Sequence, residues 1–412
     1  MQNYKLTKYS CYYSYLSMAS VFSLPPLLFN TFHDMYGVSY TLLGTLVAVN
    51  FCTQLCVDLI FTFFTKYFNI KKTVTVMPMI TSVGMLIYAL VPWIFPQYAY
   101  IGFVIGTFIF SISAGLSEVL LSPVVAAIPS ENPDRDMSLL HSLYAYGVVS
   151  VVVISTVFLK IFGTQNWMYL TLFWAVLPLV AFFMFSASPM PNVNMGSSEN
   201  GKKASKKTMI MTLCVLCIFF GSAAENSMTN WVSTYIESAL HLPKIVGDIL
   251  GMALFAVALG LTRTWYGKRG KNIYKVLLFG MAGSCACYIV AGLSPIPVLS
   301  LLACIVTGIC TAMLWPGSLI LMEEKLPHVG VAAYALMAAG GDFGASIAPQ
   351  LLGIVVDKVS VSSFAAELAP TLSLAPEQIG LKAAMLVASV FPVIGVVILL
   401  IIKKKLNIKS KK

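Results

Sequence analysis

Residues 166–187 read NWMYLTLFWAVLPLVAFFMFSA and contain no charged side chain. A helix of about 20 apolar residues spans the ~30 Å hydrocarbon layer of a membrane. The central run, Phe173–Phe185, has no polar side chain, whereas a strand of a membrane barrel would alternate apolar and polar residues. This stretch therefore predicts a transmembrane helix.

Eleven other windows of the same kind occur along the chain. The twelve predicted spans lie near residues 11–32, 40–64, 74–94, 99–128, 138–159, 166–187, 208–236, 245–264, 274–293, 296–321, 330–356 and 381–402. The 412 residues are 58% hydrophobic and only 10% charged, which is too few charges to cover a water-facing surface. The sequence therefore predicts an all-α polytopic membrane protein, and it excludes a soluble enzyme or nucleic-acid binder.

The basic residues follow the positive-inside rule. With the N-terminus in the cytoplasm, 21 of the 26 Lys and Arg residues fall in predicted cytoplasmic segments and four in external ones. The net charge of +10 thus records membrane orientation, and no nucleic-acid partner is needed to explain it. We expect a multi-pass protein of the cell membrane, plasma or inner, with both termini cytoplasmic.

A polar segment divides the predicted spans into six and six. Residues 189–207 are rich in Pro, Ser, Asn, Gly and Lys, which is typical of a flexible linker. Three residues of the first half recur 193 positions later, so that Gly115, Pro123 and Gly147 match Gly308, Pro316 and Gly340. The sequence predicts an N-terminal six-helix bundle (1–188), a cytoplasmic linker (189–207) and a C-terminal six-helix bundle (208–412). Two such pseudo-repeats around a midplane site are typical of transporters.

This organisation resembles the major facilitator superfamily. Within it, three segments resemble the fucose–galactose–glucose proton symporters: GLSEVLLSP at 115–123, LHSLYAYG at 140–147 and AMLWP at 312–316. The resemblance implies proton-coupled uptake of a sugar, with Glu118 serving coupling and sugar contact. It also places Ser122, His141 and Tyr144 at substrate-contacting positions, although none of the three is the residue that the family usually has there. The first-helix acid of those symporters has no counterpart here.

Three carboxyl groups fall near the centre of predicted spans: Glu118, Glu225 and Asp342. A charged residue there costs about 2.5–3.5 kcal/mol by insertion scales, so each one needs a partner or a function. No Lys or Arg lies at the centre of a predicted span to face them. We expect these three acids to carry the coupling proton. Hydrogen bonding to a neighbouring helix, with a role in packing alone, is the alternative.

The seventh span carries a cluster of polar residues, ENSMTNW at 225–231. Asn226 and Asn230 are four residues apart and share a helix face. A carboxylate, two amides and the indole of Trp231 fit a sugar site, where polar groups bind hydroxyls and an aromatic face stacks on C–H groups. Interhelical hydrogen bonding by the amides, with Trp231 as packing, is the alternative.

Five further positions complete the predicted site. Asn50 and Gln54 belong with Asp58 to a polar stripe of four-residue spacing, which suits either a water-filled cavity or bonding to a neighbouring helix. Trp315, beside Pro316, is expected to pack at a helix break and to cap the cavity. Asp58 and Arg263 are assigned to gating, since Arg263 near a helix end can snorkel or pair with an acidic neighbour.

The chemistry of the chain favours transport over catalysis. The phosphate-binding pattern GxxxxGK[ST] does not occur, which excludes an ATP-driven pump. No metal is expected, because the pairs Cys52/Cys56 and Cys214/Cys217 lack accompanying His or carboxylate ligands and suit buried thiols. We expect a monomeric secondary transporter in the lipid bilayer, without a cofactor, that couples a proton (or Na⁺) to a sugar or polyol. Proton-driven export of organic cations and a membrane sensor stay open.

Overall fold

The computed structural model describes residues 4–64, 67–131, 133–193, 204–326 and 331–405. These residues are almost entirely helical, and eleven of the described helical stretches are long and apolar enough to cross a membrane. They are Tyr40–Phe61, Ile70–Ile94, Pro96–Val125, Ser142–Phe162, Thr164–Ala187, Lys207–Ala239, Lys244–Arg269, Ile273–Leu293, Pro297–Met322, Ala335–Ser360 and Pro376–Lys405. The prediction of an all-α multi-pass membrane protein is confirmed.

The first helix differs from these eleven. Helix α1 (Lys5–Leu27) has 23 residues, a length of about 35 Å, but buried serines dilute its apolar content. Two of these hydroxyls bond within the helix itself, since Ser17 donates to the carbonyl of Ser14 at 3.0 Å and Ser20 to that of Ser17 at 2.8 Å. The helix can thus bury serines at little cost. The count of twelve spans and the two-repeat arrangement stay predictions.

The chain forms two compact units. The first contains Met1–Ser39 and Val49–Met195, and the second contains Tyr40–Ala48 and Gly196–Lys412. Most of the predicted linker, residues 194–203, lies outside the described part. The predicted bundle and linker boundaries and the cytoplasmic termini stay predictions.

The first unit is built from long helices around an apolar interior. Its helices are α1, α2 (Phe29–Tyr36), α3 (Tyr40–Phe64) from residue 49 onward, α4 (Ile70–Ile94), α5 (Ala99–Ala126), α6 (Pro133–Phe162) and α7 (Trp167–Ala187). Met77 of α4, Leu120 and Val124 of α5, and Phe185 of α7 are fully buried in one cluster. Apolar side chains therefore fill the unit's interior as well as its lipid-facing surface.

Helices α4 and α5 approach each other closely at two glycines. A Cβ atom on Gly84 would lie 2.5 Å from the backbone nitrogen of Phe110, and one on Gly106 would lie 2.7 Å from that of Tyr88. Both distances are well inside van der Waals contact, so only glycine fits at either position. Small residues of this kind let membrane helices pack backbone to backbone.

An ion pair joins α1 to the start of α6. The ammonium group of Lys8 pairs with Asp136, and the Asp136 carboxylate also accepts hydrogen bonds from Ser130 at 2.6 Å and Tyr12 at 3.3 Å. Burial alone raises the pKa of Asp136, but the hydrogen bonds from Lys8, Ser130 and Tyr12 and the charge of Lys8 lower it overall.

The second unit contains the remaining helices. They are Tyr40–Ala48 of α3, α8 (Ala204–Thr234), α9 (Lys244–Val246), α10 (Leu254–Arg269), α11 (Ile273–Leu293), α12 (Pro297–Thr311), α13 (Leu314–Lys325), α14 (Val331–Ser360), α15 (Ser363–Leu372), α16 (Pro376–Ala388) and α17 (Val390–Lys405). Tyr288 of α11 donates to the carbonyl of Ala224 at 2.6 Å, which fixes α11 to the middle of α8. One side of the middle of α8 is therefore covered by α11.

The two predicted cysteine pairs are placed differently. Cys214 and Cys217 are buried in the second unit, but Cys52 and Cys56 are exposed on α3, so the expectation that both pairs are buried is wrong for the first pair. Within the described ranges, no three His, Cys, Asp or Glu side chains come close enough together to hold a metal ion.

Candidate functional site

Two oppositely charged side chains meet inside the second unit. Nη2 of Arg263, on α10, lies 3.0 Å from Oε1 and 3.2 Å from Oε2 of Glu225, on α8. The Arg263 side chain is 29% exposed and that of Glu225 is 16% exposed. Both charges are thus partly withdrawn from solvent, and each depends on the other for compensation.

The direction of the Arg263 side chain explains how it reaches Glu225. In an α-helix every Cα–Cβ bond tilts toward the helix N-terminus. Arg263 lies in the second half of α10, so its side chain runs back along the helix toward the middle of the span. Glu225 lies in the middle of the span Lys207–Ala239. The two groups therefore meet away from the helix end.

A backbone carbonyl completes the surroundings of Arg263. Its Nε donates to the carbonyl oxygen of Ala312 at 2.8 Å, at the point where α12 ends and α13 has not yet begun. We call Glu225, Arg263 and the Ala312 carbonyl the Glu225–Arg263 cluster. In the described part of the chain, no acceptor is bonded to Nη1 of Arg263, which leaves N–H groups for another oxygen.

The ion pair corrects one expectation from the sequence. Glu225 was expected to face no cation, and this is wrong, because the Arg263 guanidinium is bonded to it. Arg263 pairs with an acidic neighbour, one of the two roles expected for it. Its assignment to gating stays a prediction.

The amides of α8 bond chiefly to their own helix. Asn226 donates to the carbonyl and hydroxyl of Ser222, both at 3.2 Å, and Asn230 donates to the carbonyl of Asn226 at 2.8 Å. Asn226 is partly exposed beside Glu225, whereas Asn230 is only 6% exposed. Asn226 is therefore the more accessible of the two amides, and Asn230 lies deeper in the unit.

The two tryptophans of the predicted site are placed differently. Trp231 is 1% exposed, and its indole N–H donates to the carbonyl of Pro349 on α14 at 3.1 Å. Trp315 is half-buried, and its ring covers Gly341 so closely that a Cβ there would lie 2.3 Å from it. Trp231 thus fixes α8 to α14, which favours the packing alternative, while Trp315 fills the space beside α14 left by a glycine.

Glu118 lies in a separate cluster of hydroxyl groups in the first unit. The hydroxyls of Tyr15 on α1 and Ser122 on α5 are 3.4 Å apart, and Glu118 lies one helical turn before Ser122 on α5. Glu118 itself is partly buried on α5. The ring of Tyr144 on α6 packs against that of Phe22 on α1, with centroids 5.8 Å apart.

The polar stripe of α3 bonds to a neighbouring helix. Gln54 donates to the side-chain oxygen of Asn50 at 3.1 Å, and Ser111 of α5 donates to the same oxygen at 2.6 Å. Gln54 and Asp58 are 0% and 1% exposed. This network holds α3 against α5 and suits the second of the two roles left open for the stripe.

The other two predicted residues are less closely defined. Asp342 is on α14 and only 1% exposed. His141 is on α6, and its side chain lies outside the described part of the chain.

Comparison with known proteins decides the family. The family model described as Major Facilitator Superfamily matches residues 12–349. The chain belongs to the major facilitator superfamily. The recognition of this superfamily from its motifs is confirmed. No curated protein sequence matches the chain.

Solved structures show the same superfamily fold. A bacterial homologue of the human lysosomal transporter Spinster has a TM-score of 0.75 at 11% identity, over 98% of both chains. The D-xylose–proton symporter has a TM-score of 0.73 at 14% identity, over 95% of this chain and 97% of its own. The fucose:proton symporter of E. coli has a TM-score of 0.57 at 13% identity, over 96% and 99%. At such identities the likeness shows the fold alone.

Within this major facilitator fold the predicted residues fall into two groups. Glu225 and Arg263 come together in the second unit, and in the first unit Glu118 lies one helical turn before Ser122 on α5. Sequence reasoning missed Tyr15 and the Ala312 carbonyl. A tyrosine among the many on α1 gives no distinctive signal, but Pro316, four residues after Ala312, marks a carbonyl that has lost its helical donor.

Proposed function

We propose that this major facilitator protein is a secondary active transporter that couples a proton to the uptake of a sugar or similar small polar solute by alternating access. The observation that carries this proposal is the Glu225–Arg263 ion pair within the membrane-spanning part of the second unit. Charged side chains in such positions are costly, and in membrane proteins they mark ion and substrate pathways.

The pair supplies a chemical switch. While Glu225 is ionised, it satisfies the Arg263 guanidinium at 3.0 Å. A proton on Glu225 removes the negative charge, and the guanidinium then needs another acceptor. A substrate oxygen can serve as that acceptor, so binding of the proton favours binding of the solute. This is the differential affinity that coupling requires.

The groups in the cluster favour a solute rich in oxygen. The guanidinium of Arg263 donates hydrogen bonds to hydroxyl or carboxylate oxygens. An organic cation would instead meet the positive charge of Arg263, which disfavours the exporter alternative. The solved xylose and fucose symporters share only the fold with this chain, and they support a sugar as the first class to test.

Reconstitution tests the proposal directly. Purified protein in liposomes with an alkaline interior should accumulate at least one of radiolabelled xylose, fucose and mannitol above the external concentration. Glu225→Gln should abolish this accumulation. Glu324→Gln is the matched control, because Glu324 is exposed near the end of α13 in the same unit.

Two results would contradict the proposal. One is accumulation that does not depend on the pH gradient. The other is a panel in which only organic cations stabilise the protein against heat or are moved by it, which would make export of cations the function.

A further inference from the structure

The break between α12 and α13 leaves one backbone carbonyl without its helical donor. Pro316 is the third residue of α13, and proline has no N–H. The carbonyl four residues earlier, that of Ala312, therefore cannot receive the bond that a continuous helix would give it. The next amide, that of Gly317, bonds to the carbonyl of Met313 at 2.8 Å.

Arg263 takes the place of the missing donor. Its Nε donates to the Ala312 carbonyl at 2.8 Å, and its Nη2 bonds to the Glu225 carboxylate at 3.0 Å. Ala312 is 0% exposed, so water does not readily replace this bond. One guanidinium thus joins a helix break to the carboxylate of a different helix.

Because the guanidinium is planar, its contact with the Ala312 carbonyl also fixes the orientation of the whole group. Its N–H groups form a rigid fork, so holding Nε at a fixed carbonyl also sets the direction of Nη2. We propose that Pro316 is a positioning residue, which frees the Ala312 carbonyl to anchor Arg263 and so aims the guanidinium at Glu225. The inference rests on the coupling role proposed for the Glu225–Arg263 pair.

The same unit offers a matched control. Pro392 is also the third residue of a helix, α17, that follows a break in a membrane span. The carbonyl four residues before it is that of Ala388, and among the described residues no side chain donates to it. Replacing Pro392 changes the helix break without touching an anchored side chain.

A double-mutant cycle in thermal unfolding tests the link without any transport. Purified wild type, P316A, R263M and the double variant are compared. When Arg263 is present, the backbone amide introduced by P316A competes with the guanidinium for the Ala312 carbonyl. In the R263M background that carbonyl has lost its donor, and the same amide can bond to it. P316A should therefore be more favourable in R263M than in the wild type, by about 2 °C in the unfolding midpoint. P392A should shift the unfolding midpoint equally in the wild type and in R263M. P316G provides a second variant in which the backbone amide is restored.

Transport adds a readout that separates this inference from the proposed function. With the labelled sugar or polyol that the wild type accumulates, P316A should lose uphill accumulation while keeping exchange, as R263M does, and P392A should keep both. Equal midpoint shifts of P316A in the two backgrounds would overturn the positioning role whatever transport shows. A midpoint shift of P316A that depends on Arg263, together with intact accumulation in both R263M and P316A, would support the positioning role and overturn the proposed function.

Discussion

Glu118 and Glu225 are acidic residues in membrane-spanning helices, one in each unit, and their surroundings differ. Glu225 is bonded to the Arg263 guanidinium at 3.0 Å, whereas Glu118 lies one helical turn from Ser122, whose hydroxyl is 3.4 Å from that of Tyr15. In the described part of the chain, no basic side chain forms an ion pair with Glu118. The Glu225–Arg263 pair is electrically neutral with the acid ionised, but Glu118 is neutral only when it carries a proton.

This difference suggests a division of labour between the two acids. A charge in an apolar region is accommodated either by a counter-charge or by proton uptake. The second unit uses a counter-charge, so that a proton on Glu225 releases Arg263 to a substrate oxygen. The first unit offers hydroxyl groups, which suit an acid that loads and releases a proton. The following experiments are designed to separate the two environments.

The largest expected effect comes from removing the counter-charge. Arg263→Met leaves Glu225 without its cation, and we expect a loss of about 2 kcal/mol in unfolding free energy, below the ~3–5 kcal/mol seen when a fully buried pair is broken. Adding Glu225→Gln should restore most of that loss, because no buried charge is then unpaired. Thermal unfolding measures both steps. Arg269→Met, at the exposed end of α10, is the control. A double variant as unstable as the single one would show that the ion pair is not what compensates Glu225.

Glu118→Gln should act on coupling and hardly on stability. The neutral amide keeps the shape of the side chain and imitates the protonated acid, so we expect uphill accumulation to fall by at least about tenfold, equivalent to ~1.4 kcal/mol, while exchange persists. Counterflow and gradient-driven uptake in liposomes separate these two activities. Glu131→Gln, at an exposed loop position, is the control. Unchanged gradient-driven uptake would remove Glu118 from the coupling mechanism.

Trp231→Phe distinguishes a packing role of Trp231 from a role in binding the solute. The substitution keeps a ring but removes the N–H that bonds to Pro349, so stability should fall by about 1 kcal/mol. Half-saturation for the transported solute should stay the same, because Trp231 is only 1% exposed. Trp265→Phe, 58% exposed on α10, should change neither quantity. Loss of solute affinity with normal stability would return Trp231 to the binding site.

The smallest effect concerns an acid outside the membrane-spanning segments. Because Lys8, Ser130 and Tyr12 lower the pKa of Asp136 in the folded protein, its contribution to stability is complete above the unfolded value of about 3.9 and is lost as the pH falls through the folded value. The Lys8–Asp136 pair is partly exposed, so the contribution should be at most about 1 kcal/mol.

Unfolding of wild type and Asp136→Asn between pH 6 and pH 3 measures this contribution. The two midpoints should differ at pH 6 and converge toward pH 3. Asp34→Asn, at an exposed position, should show no such convergence. A constant difference across the range would exclude the ion pair as its cause.

The membrane spans could be read from the sequence, and the ion pair could not. Apolar windows such as 166–187 match the helices to within a few residues, because the bilayer demands continuous apolar length. Glu225 and Arg263 are 38 positions apart on different helices, so no local pattern links them. Counting along α10 places Arg263 near its end, but the tilt of its side chain toward the helix N-terminus brings the guanidinium inward.

The roles of individual polar residues were predictable only as alternatives. Trp231 and Asn226 stand five positions apart in one motif, yet the first packs against α14 and the second is partly exposed and bonded to its own helix. The choice depends on which neighbour covers each face of α8, and that is a property of the tertiary packing. The break near Pro316 was visible in the sequence, whereas the side chain that fills it was not.

The close approach of α4 and α5 at Gly84 and Gly106 has a practical consequence for spectroscopy. Backbones that meet without intervening side chains have no room to slide past each other. Spin labels or fluorophores on the lipid-facing positions Leu86 of α4 and Phe108 of α5 should therefore keep a fixed separation whatever the protein binds. Such a pair is an internal ruler, against which distance changes elsewhere in the transport cycle can be calibrated.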